Sequence, residues 1–270
     1  GHSERGMSDK EVLLQVTTDH LNTGLRGVPV GTCRTSFVTP TEGVHYCGYP
    51  ISELASFEPE DIIYLLFNKE LPNAEQSKEI RAELSARATI PGDLESVLKS
   101  LPKDGHPMDW LSIGIHTLGM FETTNNWRDD AMNLVARMPR LMGLIFRIRD
   151  GRTENIPADD PHASLVDRFV NTLDLTGVDK QKMTRVIATY LVLHMDHGGG
   201  NLSTFSGKAI ASGHATVYSS MAGAMNALSG PLHGRANQSC LEFVLRVGTS
   251  DPEEVERFVR AELAAKRPVL

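Results

Sequence analysis

The sequence predicts an all-α fold, a multi-helical domain with a small β-hairpin near its N-terminus. Three features carry this reading. Aromatic residues make up only 6% of the 270 positions while alanine, leucine and methionine are plentiful, a balance that suits packed helices better than sheets. From about residue 59 onward apolar positions recur at helical spacing, and prolines or acids stand where first turns would lie. Strand-like alternation is confined to residues before about 49.

Residues 1–6 (GHSERG, ahead of Met7) read as an expression scar and are set outside the fold. TSFV at 35–38 and VHYC at 44–47 flank TPTEG, which predicts a hairpin with Gly43 in its turn. Pro59 opens the first long helix. Glu60 and Asp61 then fall in a first turn, where carboxylates suit the helix dipole, and Ile62, Ile63, Leu65, Leu66 and Phe67 follow. Asn73 is placed to cap a helix reaching about Arg87, and Pro91 opens a short one ending near Lys99. Pro107 and Asp109 begin the next, which carries Trp110, Leu111, Ile113, Ile115 and Leu118. Residues 130–148 are periodic and apolar with Pro139 inside, so a kink or break is expected there. Residues 149–160 read as a polar loop, after which Asp160-Pro161 starts a helix through Leu165, Phe169 and Leu173.

The segment 181–195 is apolar on every face from Val186 onward, and burial all round is expected, in a central position or a subunit interface. Between Ala209 and Ser229 twelve of 21 positions are Ala, Ser or Gly, which would let a helix over about 205–229 approach its neighbours closely. Pro231 interrupts that helix, and Asp251-Pro252-Glu253-Glu254 starts a last one reaching about Ala265.

The formal net charge is −7 and the pI about 5.8, which offers no attraction for nucleic acid or an anionic membrane. No apolar run approaches the roughly 20 residues that cross a bilayer. Cys33, Cys47 and Cys240 are odd in number and lack a CxxC pair, which reads as free thiols in a cytoplasmic protein.

The chemistry concentrates between Asp196 and Gln238. His197 is followed by Gly198, Gly199 and Gly200, and His233 by Gly234, with the two histidines 36 positions apart. Glycine beside a polar side chain lets a ligand approach the backbone. A lone histidine is more often a core residue satisfied by carbonyls. Two of them, each beside glycine at a helix break, point instead to a common pocket for a small polar substrate. An imidazole there can donate to a carbonyl or sit charged beside a carboxylate. The triple glycine lacks the strand-before, helix-after setting of a dinucleotide fingerprint. His194, Asp196, His197, His214 and His233 include no HExxH or Glu-x-x-His pattern and no cysteine ligand accompanies them, so no metal is expected. GxSxG is absent, and Cys240 has no evident base beside it.

Four segments, GYPISEL (48–54), LPKDGHPMDWL (101–111), DHGGGNLSTF (196–205) and GPLHGRANQ (230–238), resemble the citrate synthase family in order and spacing. The resemblance runs from about residue 25 through nearly the whole chain. It implies an almost wholly α-helical fold, with a large helical domain over 7–235 and the start of a smaller mobile one over 236–270, assembled as a homodimer. It implies an acyltransferase that condenses acetyl-CoA with oxaloacetate to citrate and CoA, with no cofactor beyond the acyl-CoA substrate. By the same resemblance His233 is the catalytic donor to the thioester oxygen, stabilising the enol where charge develops. His197 binds oxaloacetate, and Asn201 lies in the turn that shapes that site.

Three features depart from the family pattern. Cys47 stands in HYCGYP where an arginine is usual, and Thr216 where an aspartate is usual. After KRPVL the resemblance leads to expect a GFGHR-type segment with a second catalytic histidine, and later an aspartate that acts as the base. The chain is therefore expected to be an N-terminal portion, inactive by itself. Two alternatives stay open: a 2-methylcitrate synthase taking propionyl-CoA, since one methylene is worth only about 1–3 kcal/mol of discrimination, or a short homologue without catalysis that acts as a dimeric interaction module.

Overall fold

The computed structural model describes strands at 36–39, 43–46 and 49–50, residues 51–194 apart from 55 and 125, positions 12, 15 and 17–19, and Tyr218. The antiparallel strands β1 (Ser36–Thr39), β2 (Gly43–Tyr46) and β3 (Tyr49–Pro50) form one small sheet in that order. Phe37 pairs with His45 and Thr39 with Gly43, so Gly43 is the first residue of a strand and not a turn residue as expected. β3 was not anticipated. Two residues are too few to show alternation, and proline is tolerated there because the strand lies at a sheet edge.

The helices are α1 (Ile51–Leu54), α2 (Pro59–Asn68), α3 (Ala74–Arg87), α4 (Gly92–Lys99), α5 (Pro107–Glu122), α6 (Trp127–Arg149), α7 (Leu165–Leu173) and α8 (Lys180–His194). Local chemistry explains most starts. Asn73 accepts from the Gln76 amide while the Gln76 side chain accepts from the Asn73 amide, a reciprocal capping box. Asn126 caps α6 by accepting from the Asp129 amide at 3.0 Å. α2 ends where Lys69 turns left-handed, with φ of 63°, and closes on the Leu65 carbonyl.

Two starts and breaks differ from expectation. α7 begins at Leu165, capped by Ser164, and not at Asp160-Pro161. The Asp160 side chain accepts from the His162 amide and its carbonyl from the Ala163 amide, so that pair makes the turn before the helix. α6 does not break at Pro139. Proline removes the hydrogen bond to the carbonyl four residues earlier, but buried Leu134, Ala136, Leu141 and Leu144 hold the helix on both sides of it.

α6 is the axis of the fold, since its faces serve three apolar clusters. One joins it to Leu94 and Leu98 of α4 and to Trp110, Ile115 and Leu118 of α5, with Tyr218 packed among them. A second sets Met142 and Phe146 of α6 against Val166, Phe169, Val170 and Leu173 of α7 and Met183 and Ile187 of α8. The third packs Met132 and Ala136 against Ile63 of α2, Ile80 and Leu84 of α3, Ala88 at the C-cap of α3, and Leu165. In α8 Met183 and Ile187 are buried in the second cluster while Val186, Ala188 and Thr189 are half-buried, and the burial expected from position 190 onward lies outside the described residues. The helices expected over 205–229 and 251–265, apart from Tyr218, and the domain boundary at 235/236 lie outside the described residues.

Buried charge is tied to helix ends. Arg147, 4% exposed, and Arg152 both donate to the Leu173 carbonyl, at 3.1 and 2.6 Å, which neutralises the negative end of α7. Arg168, 1% exposed, pairs with Asp159 at 2.8 Å and fastens the 150–164 connection to α7. At the other end Glu60 accepts from the Leu165 amide at 2.9 Å, reaching from α2 to the positive end of α7.

Glu60 yields a pH-dependent expectation. Burial raises its carboxyl above the ordinary value of 4.5, and the Leu165 amide offsets this only in part. Because the folded pKa exceeds the unfolded one, ionised Glu60 costs stability at neutral pH, and that cost disappears as pH falls through the folded pKa toward about 4.5. Glu60→Gln keeps an acceptor for Leu165 without the charge. Urea unfolding at pH 7 and pH 4.5 is expected to show the variant faring better against the parent at pH 7. A difference independent of pH, or one running the other way, contradicts this assignment.

Candidate functional site

His197, Asn201 and His233, with the departures at Cys47 and Thr216, lie outside the described residues or have no described side chain. The described core reaches their neighbourhood in sequence at two points. α8 ends at His194, three positions before His197. Tyr218, helical and buried, stands 21 positions after His197 and 15 before His233.

Tyr218 is seated on α5. A Cβ at Gly119 would lie 2.5 Å from the Tyr218 Cβ and 2.8 Å from its Cγ, so only glycine leaves room there. One turn on, Glu122 Oε1 lies 3.4 Å from the Tyr218 hydroxyl, a long hydrogen bond with the phenol donating. The other Glu122 oxygen meets Arg137 of α6 at 2.7 Å, and the two side chains are only 16% and 14% exposed. Arg137 Nε donates to the Thr89 carbonyl at 3.0 Å, which anchors the guanidinium. Burial raises the Glu122 carboxyl above its ordinary value and Arg137 opposes the rise. Burial, then the charge of Glu122, pushes the Tyr218 phenol well above its ordinary 10. The phenol therefore stays a neutral donor across the physiological range.

This triad was not anticipated from the sequence. Tyr218 carried a usable signal, as the lone aromatic residue among the small ones between Ala209 and Ser229. Glu122 and Arg137 gave none. They sit 15 positions apart on separate helices, and only the turn between α5 and α6 brings them together.

Residues 24–270 match the family model described as the citrate synthase C-terminal domain. The chain belongs to the citrate synthase family. It is 31% identical to the mitochondrial citrate synthase of Saccharomyces cerevisiae, over 96% of this chain and 60% of that protein. It is 29% identical to citrate synthase 4, mitochondrial, of Arabidopsis thaliana, over 94% of this chain and 57% of that protein. Among solved structures, citrate synthase from Pyrobaculum aerophilum superposes with a TM-score of 0.70 at 26% identity, covering 84% of this chain and 60% of that one. The citrate synthase from Thermotoga maritima gives 0.68 at 26% identity, over 91% and 65%. The chain thus spans about 60% of the length of these relatives. The helical fold expected from the sequence is the family's fold.

The Glu122–Arg137 pair is open to a direct test. Removing one member of a buried pair strands the other's charge and typically costs about 3–5 kcal/mol, whereas removing both costs less. Arg137→Met is expected to destabilise by about 2–4 kcal/mol, somewhat less because both groups keep slight exposure. Adding Glu122→Gln should recover part of that loss. A double-mutant cycle by denaturant unfolding with coupling indistinguishable from zero would remove the pair from the account.

Proposed function

We propose that this chain supplies the oxaloacetate-binding and enol-stabilising part of a citrate synthase-type acyltransferase, with acetyl-CoA as acyl donor. The observation that carries the reading is the family match over residues 24–270, which contains DHGGGN and GPLHGRANQ intact. His233 is the donor at the thioester oxygen, and His197 with Asn201 holds oxaloacetate. Condensation also needs a base for the methyl proton and a polariser for the keto group. Within these 270 residues no segment resembles the GFGHR-type histidine or the later aspartate. Asp196 is the carboxylate nearest His197 in sequence.

The chain of 270 residues is therefore expected to bind oxaloacetate and to release little thiol from acetyl-CoA, since a general base contributes about 10²–10⁴-fold. Titration calorimetry is expected to show His197→Ala weakening oxaloacetate by about tenfold or more, the worth of a charged hydrogen bond. Brisk thiol release that His233→Ala abolishes would mean that a base lies within these residues. Release with propionyl-CoA in preference to acetyl-CoA would assign the 2-methylcitrate reaction instead. No binding at all would favour a non-catalytic module.

The same reading includes a homodimer. Its support is the outer side of α5 and the start of α6, where Met120 is 73% exposed and Trp127 52%, with Ile113 and Phe121 also exposed. Light scattering at micromolar concentration is expected to give twice the chain mass. A clean monomer with intact helical circular dichroism would overturn the dimer.

A further inference from the structure

We infer that the exposed stripe of α5 is a self-association face centred on His116, which makes the pairing of two chains weaken in acid. The assignment rests on the homodimer reading. Four residues make the stripe. Asp109, Ile113, His116 and Met120 are all exposed, and their spacing of four, three and four positions keeps them on one side of the helix. The opposite side of α5 carries buried Trp110, Ile115 and Leu118, against which α4 and α6 pack. The stripe is therefore left over from the core and not part of it. Ile113 is 41% exposed and Met120 73%, and Phe121 at 47% and Trp127 at 52% continue the apolar surface. Among the described residues these are four of the six exposed large apolar side chains, a concentration that singly scattered surface residues do not show.

The order of residues along the stripe favours a second copy of the chain as its occupant. A two-fold axis brings the same patch of each chain together, so that one residue meets a second and the second meets the first. An antiparallel copy of α5 with Ile113 on the partner's Met120 also puts Met120 on the partner's Ile113, because the stripe reads nearly alike in both directions from its middle. His116 then stands opposite the partner's His116. Apolar side chains cover one another on both sides of that meeting point. Imidazole is the side chain that ordinarily gains a charge between pH 8 and pH 5. Two neutral imidazoles can share a hydrogen bond between the apolar pairs. Two charged ones repel there, and closing the face strips both of water. The carboxylates nearest along the helix do not offset this. Asp109 lies two turns before His116 and falls opposite the end of the partner's α5. Glu122 is held by Arg137 and by the Tyr218 phenol, and Asp130 of α6 by Thr124.

The experiment measures self-association of the full 270-residue chain by sedimentation equilibrium at about pH 7.5 and about pH 5.5, on either side of the imidazole range. Salt at about 0.15 M screens the general net charge, and circular dichroism at each pH shows that the helices persist. The parent is expected to dimerise at the higher pH and to do so about tenfold or more weakly at the lower, since like charges about 7 Å apart repel even at an effective dielectric constant of about 20. His116→Gln keeps a polar side chain that gains no charge, and is expected to lose that weakening. Met120→Glu sets a charge against the partner's Ile113, and is expected to weaken the dimer about tenfold or more at the higher pH with the helical signal unchanged. If the parent pairs as tightly at the lower pH, or if His116→Gln keeps the parent's full weakening, the role of His116 is overturned while the dimer stands. If Met120→Glu dimerises like the parent, the chains pair through another face and the stripe is overturned. If the parent is a monomer at the higher pH with its helices intact, the homodimer reading itself fails.

Discussion

Helix α6 carries three apolar clusters, and it does so through a close backbone approach to α7 at Gly143. A Cβ there would lie 2.7 Å from both Cβ and Cγ2 of Thr172 and 3.4 Å from the Phe169 carbonyl. None of these is the pliant end of a long side chain. With the helices this close, Phe146 and Phe169 meet edge to face with centroids 6.3 Å apart. Arg140 reaches Thr172 at 3.1 Å and Arg147 reaches the end of α7 at Leu173. Widening that contact would loosen the second cluster and uncover the buried guanidiniums together. The first and third clusters depend on it less directly, through the placement of α6 itself.

Much of this was legible in the chain. Asn73, Pro91 and Pro107 marked helix starts because capping and first-turn proline act through the nearest few residues, and those are visible in sequence. The errors arose where distant contacts overrule local preference. Pro139 reads as a break until the apolar faces on either side hold the helix together. Asp160-Pro161 is as good a start signal as any, yet Arg168 draws the Asp160 carbonyl at 2.8 Å into the preceding turn and leaves the cap to Ser164. Gly43 reads as a turn residue because its pairing with Thr39 is a property of the ladder.

The candidate site residues His197, Asn201 and His233 stood out through their glycines and through the family resemblance, not through periodicity, and they lie outside the described residues. The seat of Tyr218 was invisible because Gly119, Glu122 and Arg137 have ordinary helical neighbours, and their meaning appears only when α5 and α6 are laid side by side. The same axis helix that unites the core thus supplies Arg137 to the one described contact between that core and the histidine-bearing segment.

The most direct test of the central contact is the unfolding free energy of Gly143→Ala set beside Gly92→Ala. Alanine is the better helix former by about 1 kcal/mol, so propensity alone favours both changes. At Gly92, the first residue of α4, an added Cβ meets nothing within 4 Å, and the substitution should be neutral or stabilising. At Gly143 a net loss of about 1–3 kcal/mol is expected, because the backbones of α6 and α7 must part. A Gly143→Ala protein as stable as the parent, with the Phe146–Phe169 contact intact, would contradict it.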